Sequence, residues 1–219
     1  MLIVRNLTKR YPFGGGHRTV LRDVNLRLER GQKVGILGRN GSGKSTLIRV
    51  LGGSENPDAG EIHRGMSVSW PLALGGGFQV SLSGMDNLRF ICRIYGVSIE
   101  DKIPFVREFT ELGRYLHEPM KSYSAGMRAR LAFALSMVIE FDCYLIDEVM
   151  AVGDDRFKER CQYELFEKRG DRAMLIVAHN IAYIRQHCDT AAVLLRGQLH
   201  HFDTIDEGYA FYQAHASEQ

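Results

Sequence analysis

Gly38-Arg39-Asn40-Gly41-Ser42-Gly43-Lys44-Ser45-Thr46 satisfies the spacing G-x-x-x-x-G-K-[ST]. A strand-like run, Lys33-Val34-Gly35-Ile36-Leu37, precedes it. A helix-like run, Thr46-Leu47-Ile48-Arg49-Val50-Leu51, follows and is stopped by Gly52-Gly53. Strand, glycine-rich loop and helix in that order are the context in which this spacing forms a P-loop. The glycines let backbone N–H groups close around phosphate oxygens, and the helix N-terminus adds partial positive charge. Lys44 is placed to reach the β- and γ-phosphates, and the Ser45 hydroxyl to ligate Mg²⁺. The stretch predicts nucleotide binding on an α/β core. What the nucleotide drives has to come from other residues.

Length and composition narrow the class. With 219 residues and 45% hydrophobic content, the chain suits one large domain, or one core with an inserted subdomain. A net charge of +2 gives no argument for nucleic acid as a partner. No apolar run reaches the roughly 18 residues that a spanning helix needs. Met1-Leu2-Ile3-Val4-Arg5 turns polar too quickly for a signal peptide, so none is expected. Cys92, Cys143, Cys161 and Cys188 form no C-x-x-C pair and are expected as free thiols of a reducing cytoplasm.

Along the chain, Met1–Leu7 and the alternating run Val20–Leu28 predict strands, with Tyr11-Pro12 and Gly14-Gly15-Gly16 as the turn between them. They suggest a small antiparallel sheet leaning on the nucleotide core. Tyr11 either stacks on an adenine face or plugs the sheet edge. Glu61–His63 and Ser67–Trp70 predict short strands. Leu74-Gly75-Gly76-Gly77-Phe78-Gln79 predicts a flexible loop that places Gln79 near a metal or an attacking water, or leaves it solvated. From Ser83 to Ile139 the pattern is helical, and 80–134 is expected as a helical subdomain inserted into a core of 1–79 and 135–219. Within it, Tyr123-Ser124-Ala125-Gly126-Met127 precedes the apolar helix Leu131–Ile139. Ser124 is a plausible N-cap, and the helix start a second anion site, weak on its own. Cys143-Tyr144-Leu145-Ile146-Asp147-Glu148 is an apolar strand ending in two carboxylates, which beside a P-loop suit metal and water respectively. Ala173–Ala178 is a buried strand with His179 at its end, and Thr204-Ile205-Asp206-Glu207 is a capping box before a last helix.

Taken together and in order, these motifs resemble the nucleotide-binding subunit of ABC transporters, over nearly the whole chain. Tyr11 matches the aromatic A-loop, Gly38–Thr46 Walker A, Gln79 the Q-loop and Tyr123–Met127 the signature. Cys143–Asp147 matches Walker B, Glu148 the catalytic glutamate, Ala151-Val152-Gly153-Asp154 the D-loop and His179 the switch histidine. Two stretches depart from the commoner pattern. The signature carries Tyr, Ala and Met where Leu-Ser-Gly-Gly-Gln has Leu, Gly and Gln, and the D-loop reads Ala-Val-Gly-Asp. Both departures, with Ser69-Trp70-Pro71, resemble the polysaccharide-export branch and especially the capsular exporters of Gram-negative bacteria.

The resemblance implies a P-loop NTPase of the ABC ATPase type: a mixed sheet core, an antiparallel β subdomain and an inserted α-helical subdomain. It implies ATP and Mg²⁺ as ligands and a head-to-tail dimer with a second copy of the chain. ATP would touch Tyr11, Gly38, Asn40, Gly41, Ser42, Gly43, Lys44, Ser45, Thr46 and Gln79 of one copy and Ser124 and Gly126 of the other. Ser45, Gln79 and Asp147 would hold the metal, and Glu148 and His179 would be catalytic. The implied partner is an integral membrane subunit, with the chain peripheral on the cytoplasmic face of the inner membrane and no nucleic acid involved. O-antigen exporters of this branch often carry an additional C-terminal sugar-binding domain, and none is expected in 219 residues. Alternatives are an O-antigen or teichoic-acid exporter subunit, a soluble non-transport ABC ATPase, and a small-metabolite kinase. The kinase would leave the signature, Gln79 and His179 without roles.

Overall fold

Strand β3 (Lys33–Leu37) has no exposed residue. It pairs in parallel with β7 (Ala173–Val177) on one side and β8 (Thr190–Leu195) on the other. The computed structural model describes residues 1–72, 78–147, 154–178 and 180–215. Beyond β7 the sheet continues in parallel through β6 (Cys143–Asp147) to β5 (Val68–Pro71), and β9 (Gln198–Phe202) closes the other edge antiparallel. The order is β5-β6-β7-β3-β8-β9. Ala173-Met174-Leu175-Ile176-Val177 is buried at every position, as a central parallel strand requires. Helix α1 (Lys44–Leu51) follows β3 and buries Leu47, Ile48, Val50 and Leu51.

A three-stranded antiparallel sheet, β2-β1-β4, is formed by β1 (Leu2–Phe13), β2 (Gly16–Leu28) and β4 (Ala59–Arg64). Its inward residues, among them Leu2, Leu7, Leu21, Val24 and Leu28, share one apolar cluster with Ile36 of β3 and Leu47 and Ile48 of α1. The expected Tyr11-Pro12 turn is strand instead. Pro12 pairs with His17, beyond the stretch Leu2–Thr8 where β1 also meets β4. With only one neighbour there, a residue lacking an N–H is tolerated. The last helix, α7 (Ile205–His215), starts at the capping box: Glu207 N–H donates to Thr204 Oγ1 at 3.2 Å and Thr204 N–H to Glu207 Oε2 at 3.3 Å. A seven-residue helix, α6 (Ile181–His187), precedes β8.

The chain divides into two compact units by packing. One is Met1–Pro71, Phe141–Glu148 and Gly170–Gln219, and it holds both sheets; the other is Leu72–Glu140 and Val149–Arg169. The second unit extends past the expected 80–134 because α5 packs with the inserted helices. Its helices are α2 (Gly84–Tyr95), α3 (Ile103–Thr110), α4 (Ala125–Met137) and α5 (Asp155–Gln162), which runs on into a π-helical turn, Tyr163–Glu167. Phe157 of α5 meets Phe109 of α3 at 5.7 Å between ring centroids and Phe133 of α4 at 6.1 Å. Buried Arg169 donates to Glu164 at 3.0 Å, to Glu140 at 2.6 Å and to the Met137 carbonyl at 3.0 Å. Among the described residues no helix is long and apolar enough to cross a membrane.

Asp142, just before β6, ties three connections of the first unit together. It accepts from Ser67 N–H at 3.0 Å, from Ser67 Oγ at 3.1 Å and from Arg30 at 2.7 Å. The Ser67 N–H, helped by Arg30, holds its carboxyl below the ordinary range against a partial burial that pushes the other way. At neutral pH, Asp142→Ala should lower stability by about 2–3 kcal/mol, because charged hydrogen bonds are lost and their donors stranded. Since the folded value is depressed, this contribution is complete above about pH 4 and disappears as pH falls through the folded value. Denaturant melts on the acid side should therefore show the parent losing more stability than Asp142→Asn.

Candidate functional site

The carboxyl ends of β3, β6 and β7 lie level. Ile36 is registered with Val177, and Val177 with Asp147. The loop after β3 and the carboxylate ending β6 therefore open on one edge of the sheet, where open α/β sheets bind ligands. A cavity of about 620 Å³ lies there. Asn40, Gly41, Gly43, Lys44, Ser45 and Thr46 line it from the loop and α1, Asp147 and Val177 from the strand ends, and Tyr11, Pro12, Phe13, Arg18 and Val20 from the β1–β2 hairpin.

Lys44 is 7% exposed, and its ammonium donates to the carbonyls of Gly38 at 2.7 Å and Arg39 at 2.8 Å. Gly43 caps α1 with φ 107, a conformation that favours glycine. A Cβ on it would stand 2.9 Å from Val20 Cγ1 and 3.2 Å from the Val20 carbonyl. Gly41 also has positive φ, 79, but its Cβ would meet nothing within 4 Å. Ser45 is exposed at the cavity, whereas buried Thr46 accepts from Arg49 at 3.2 Å through its hydroxyl. Gly38 and Ser42 line a different, adjoining cavity. An alcohol and a carboxylate, Ser45 and Asp147, beside space for phosphate and water fit Mg²⁺, which takes few protein ligands and keeps waters.

Tyr11 is held at the cavity wall by its hydroxyl, which donates to Glu55. Arg49 donates to Glu55 Oε1 at 2.5 Å and to the Tyr11 oxygen at 3.4 Å. Burial pushes the Glu55 carboxyl up, but the bonds from Tyr11 and Arg49 outweigh it and keep the group below the usual carboxylate range. Tyr11 lines the cavity from the strand. Phe13 and Arg18 were not expected there. Strand geometry is the signal for both: Tyr11 and Phe13 are two apart on β1 and share a face, and Arg18 is the cross-strand partner of Tyr11.

The second unit carries the other expected contacts. Gln79 is exposed, and its backbone is clamped by Asn87: Gln79 N–H donates to Asn87 Oδ1 at 3.0 Å, and Asn87 Nδ2 to the Gln79 carbonyl at 3.1 Å. Ser124 caps α4, accepting from Met127 N–H at 3.2 Å. Next to it the helix surface is open, since a Cβ on Gly126 would meet only Ser124 Oγ, at 3.9 Å. Tyr123 is a core residue here: it is 3% exposed, its hydroxyl donates to the Tyr115 carbonyl, and burial raises its pKa. Glu148, His179, Gly75–Gly77 and Ala151-Val152-Gly153 lie outside the described residues. Asp154 caps α5, accepting from Phe157 N–H at 2.8 Å.

A lysine ringed by its own loop's carbonyls, under a helix start and facing a carboxylate, is built for a polyphosphate, and the class is a P-loop NTPase. A family model described as ABC transporter matches residues 21–151. The capsule polysaccharide export ATP-binding protein CtrD of Neisseria meningitidis serogroup B is 58% identical over 214 residues, covering 98% of this chain and 99% of that protein. The ATP-binding protein BexA of Haemophilus influenzae is 57% identical over 212 residues, 97% of this chain and 98% of that one. A dimeric ATP-binding cassette in a post-hydrolysis state, bound to ADP and phosphate, superposes with a TM-score of 0.77 at 20% identity, over 91% of this chain and 96% of that one. At that identity the superposition supports the fold alone. The chain belongs to the ABC transporter family, as an ATP-binding subunit.

Gly43 and Gly41 separate backbone strain from collision. Gly43→Ala should cost about 1–3 kcal/mol more stability than Gly41→Ala, because its methyl strikes β2 as well as requiring an unfavourable φ. It should also weaken nucleotide binding by moving the loop off Val20. Thermal melts and nucleotide titrations of the two variants check this, and equal losses would remove the collision from the account.

Proposed function

We propose that this chain hydrolyses ATP to drive export of a capsular polysaccharide across the inner membrane through a separate membrane-spanning subunit. The observation that carries the proposal is the end-to-end similarity to two capsule-export ATP-binding proteins. The open phosphate cavity supports the ATPase part. On this reading the ring of Tyr11 supports the base, while loop N–H groups and Lys44 take the phosphates. Ser45 and Asp147 hold Mg²⁺, joined by Gln79, and the ion when bound neutralises phosphate charge. Glu148 polarises the attacking water, and His179 contacts the γ-phosphate. The three-part division into core, β subdomain and helical insertion belongs to the same reading, with the insertion widened from 80–134 to take in α5.

The catalytic assembly is a head-to-tail dimer in which Ser124 and Gly126 of one copy meet the γ-phosphate held by the other. Gly126 supports this, because neither its backbone nor its packing within the chain calls for glycine. The segment 79–87, a loop and the first turn of α2, is the proposed seat for a cytoplasmic segment of the membrane subunit. Val80 is 53% and Leu82 40% exposed there, apolar surface that a docked segment would cover. On this reading the chain works at the cytoplasmic face of the inner membrane.

Gly126→Asp should leave the melting temperature nearly unchanged but abolish ATP hydrolysis, because a carboxylate would face phosphate across the dimer. Mixed with Lys44→Ala chains, it should recover part of the activity, since the two defects then share one composite site. Mixed dimers that are demonstrably formed yet inactive would count against the trans contact.

In the source organism, deletion of the gene should leave polymer inside the cell and strip it from the surface. The wild-type gene should reverse this. Glu148→Gln should not, although that chain still binds ATP, because its turnover falls by roughly 10²-fold or more. Normal surface polysaccharide in the deletion strain would overturn the export reading.

A further inference from the structure

Helix α3 ends at Glu111, whose backbone is left-handed, φ 54, with its N–H donating to the Arg107 carbonyl at 3.2 Å. Glycine takes that conformation at little cost, and a residue with a long side chain rarely takes it. What glutamate supplies there is a carboxylate. Arg160 of α5 donates to it at 2.9 Å, Arg130 of α4 stands 3.6 Å away and Arg156 of α5 3.7 Å. Arg130 forks: its Nη1 faces Glu111, while its Nη2 donates at 2.8 Å to Asp154, the residue that caps α5. The end of α3, the body of α4 and the start of α5 thus meet at five charges, three positive and two negative.

An isolated exposed ion pair holds little, and a network with restrained members holds more. Two of these guanidiniums are restrained. Arg160 lies over the Phe109 ring at 4.8 Å and also donates to the Glu108 carbonyl at 3.0 Å, and Arg130 lies over the Phe157 ring at 5.9 Å. Both are 28% exposed, against 79% for Arg156. Without Glu111, only Asp154 of this group would be left to offset three cations that repel one another. Arg130 lies one helical turn beyond Gly126 on α4. We propose that Glu111 is a positioning residue for ATP hydrolysis: through Arg130 it holds the start of α4, with Ser124 and Gly126, in register with the start of α5. The proposal rests on the head-to-tail reading, in which that start of α4 serves the nucleotide of the other copy. A misplacement of about 1 Å at such a contact lowers turnover without touching the phosphate loop.

The test compares turnover with binding. Glu111→Gln keeps the length and loses the charge, whereas Glu111→Gly loses the side chain and suits the backbone. In both, kcat for ATP should fall about tenfold or more while the Kd for ADP stays within about twofold. Arg130→Lys should match them, since one ammonium cannot span two carboxylates, and Arg156→Gln should stay near the parent rate. Glu111→Gln combined with Arg130→Lys should lose no more than either alone, as residues acting as one unit do. Glu111→Gln chains mixed with Lys44→Ala chains should exceed the mean rate of the two variants alone. In the mixed dimer the sound phosphate loop of one copy meets the sound α4 of the other. Hydrogen exchange at the Phe157 N–H, which Asp154 holds, reads the register with no nucleotide at all. It should quicken about fivefold or more in Glu111→Gln and in Arg130→Lys.

Parent turnover in folded Glu111→Gln and Glu111→Gly overturns the proposal. So does a loss that Arg156→Gln reproduces in full, which would make it an effect of net charge. Losses that multiply in the double variant would separate Glu111 from Arg130 and overturn it too. A defect that mixing does not relieve, where Gly126→Asp is relieved, lies in the chain's own nucleotide site and likewise overturns it. If neither is relieved, or the parent does not hydrolyse ATP, the head-to-tail or ATPase reading is what fails. Exchange at Phe157 then decides, and no change in either variant overturns the proposal. Should melts show the Glu111 variants unfolded, Arg130→Lys carries the same comparisons.

Discussion

A lysine ammonium with only 7% of its surface exposed has to be answered by oxygen. In this molecule the carbonyls of Gly38 and Arg39 answer it, at 2.7 and 2.8 Å. Both bonds run back to the loop's own backbone and help hold it as a ring. β3 fixes one end of the ring and α1 the other. The loop's shape is therefore set by its own bonds and by the two elements that flank it.

The hairpin depends on that ring in turn. Gly43 has no side chain because Val20 of β2 occupies the place where one would stand. The sheet that carries Tyr11 is thereby set against the loop at a fixed distance, and the shared apolar cluster of Leu21, Ile36, Leu47 and Ile48 maintains it. Tyr11 is positioned twice, by its strand and by the Glu55–Arg49 pair at its hydroxyl. Tyr11 and the glycine-rich loop thus share one packed foundation within the first unit.

How much of this is legible in the residues alone depends on how local each feature is. The loop, β3, β6, β7 and α1 are readable because a short spacing and an unbroken apolar run carry them. The Ser124 cap follows from one hydroxyl just before an apolar helix, and the Thr204–Glu207 box from two side chains three apart. Helix α5 is not readable: of Asp155–Gln162 only Phe157 and Cys161 are buried, too little for a helical stripe to stand out. The seven-residue α6 is similar, with Ile184 its single fully buried residue. Tyr11 is ambiguous until the partner of its hydroxyl is known, because Glu55 lies far along the chain. The charges around Glu111 are the extreme case. They come from the end of α3 and from α4 and α5, and no linear pattern joins them.

The four thiols have a consequence of a different kind. Cys143 and Cys188 belong to the first unit, Cys92 and Cys161 to the second. Burial raises all four above their ordinary titration range, to about 12 for Cys143 and Cys188. A protonated, enclosed thiol is a poor nucleophile. For the three buried thiols, Cys92, Cys143 and Cys161, an alkylating reagent accordingly registers only molecules in which the surrounding packing has opened, and the modified residue reports which half opened. The chain thus carries its own clocks for local unfolding, at least one buried thiol in each half, with no engineered label.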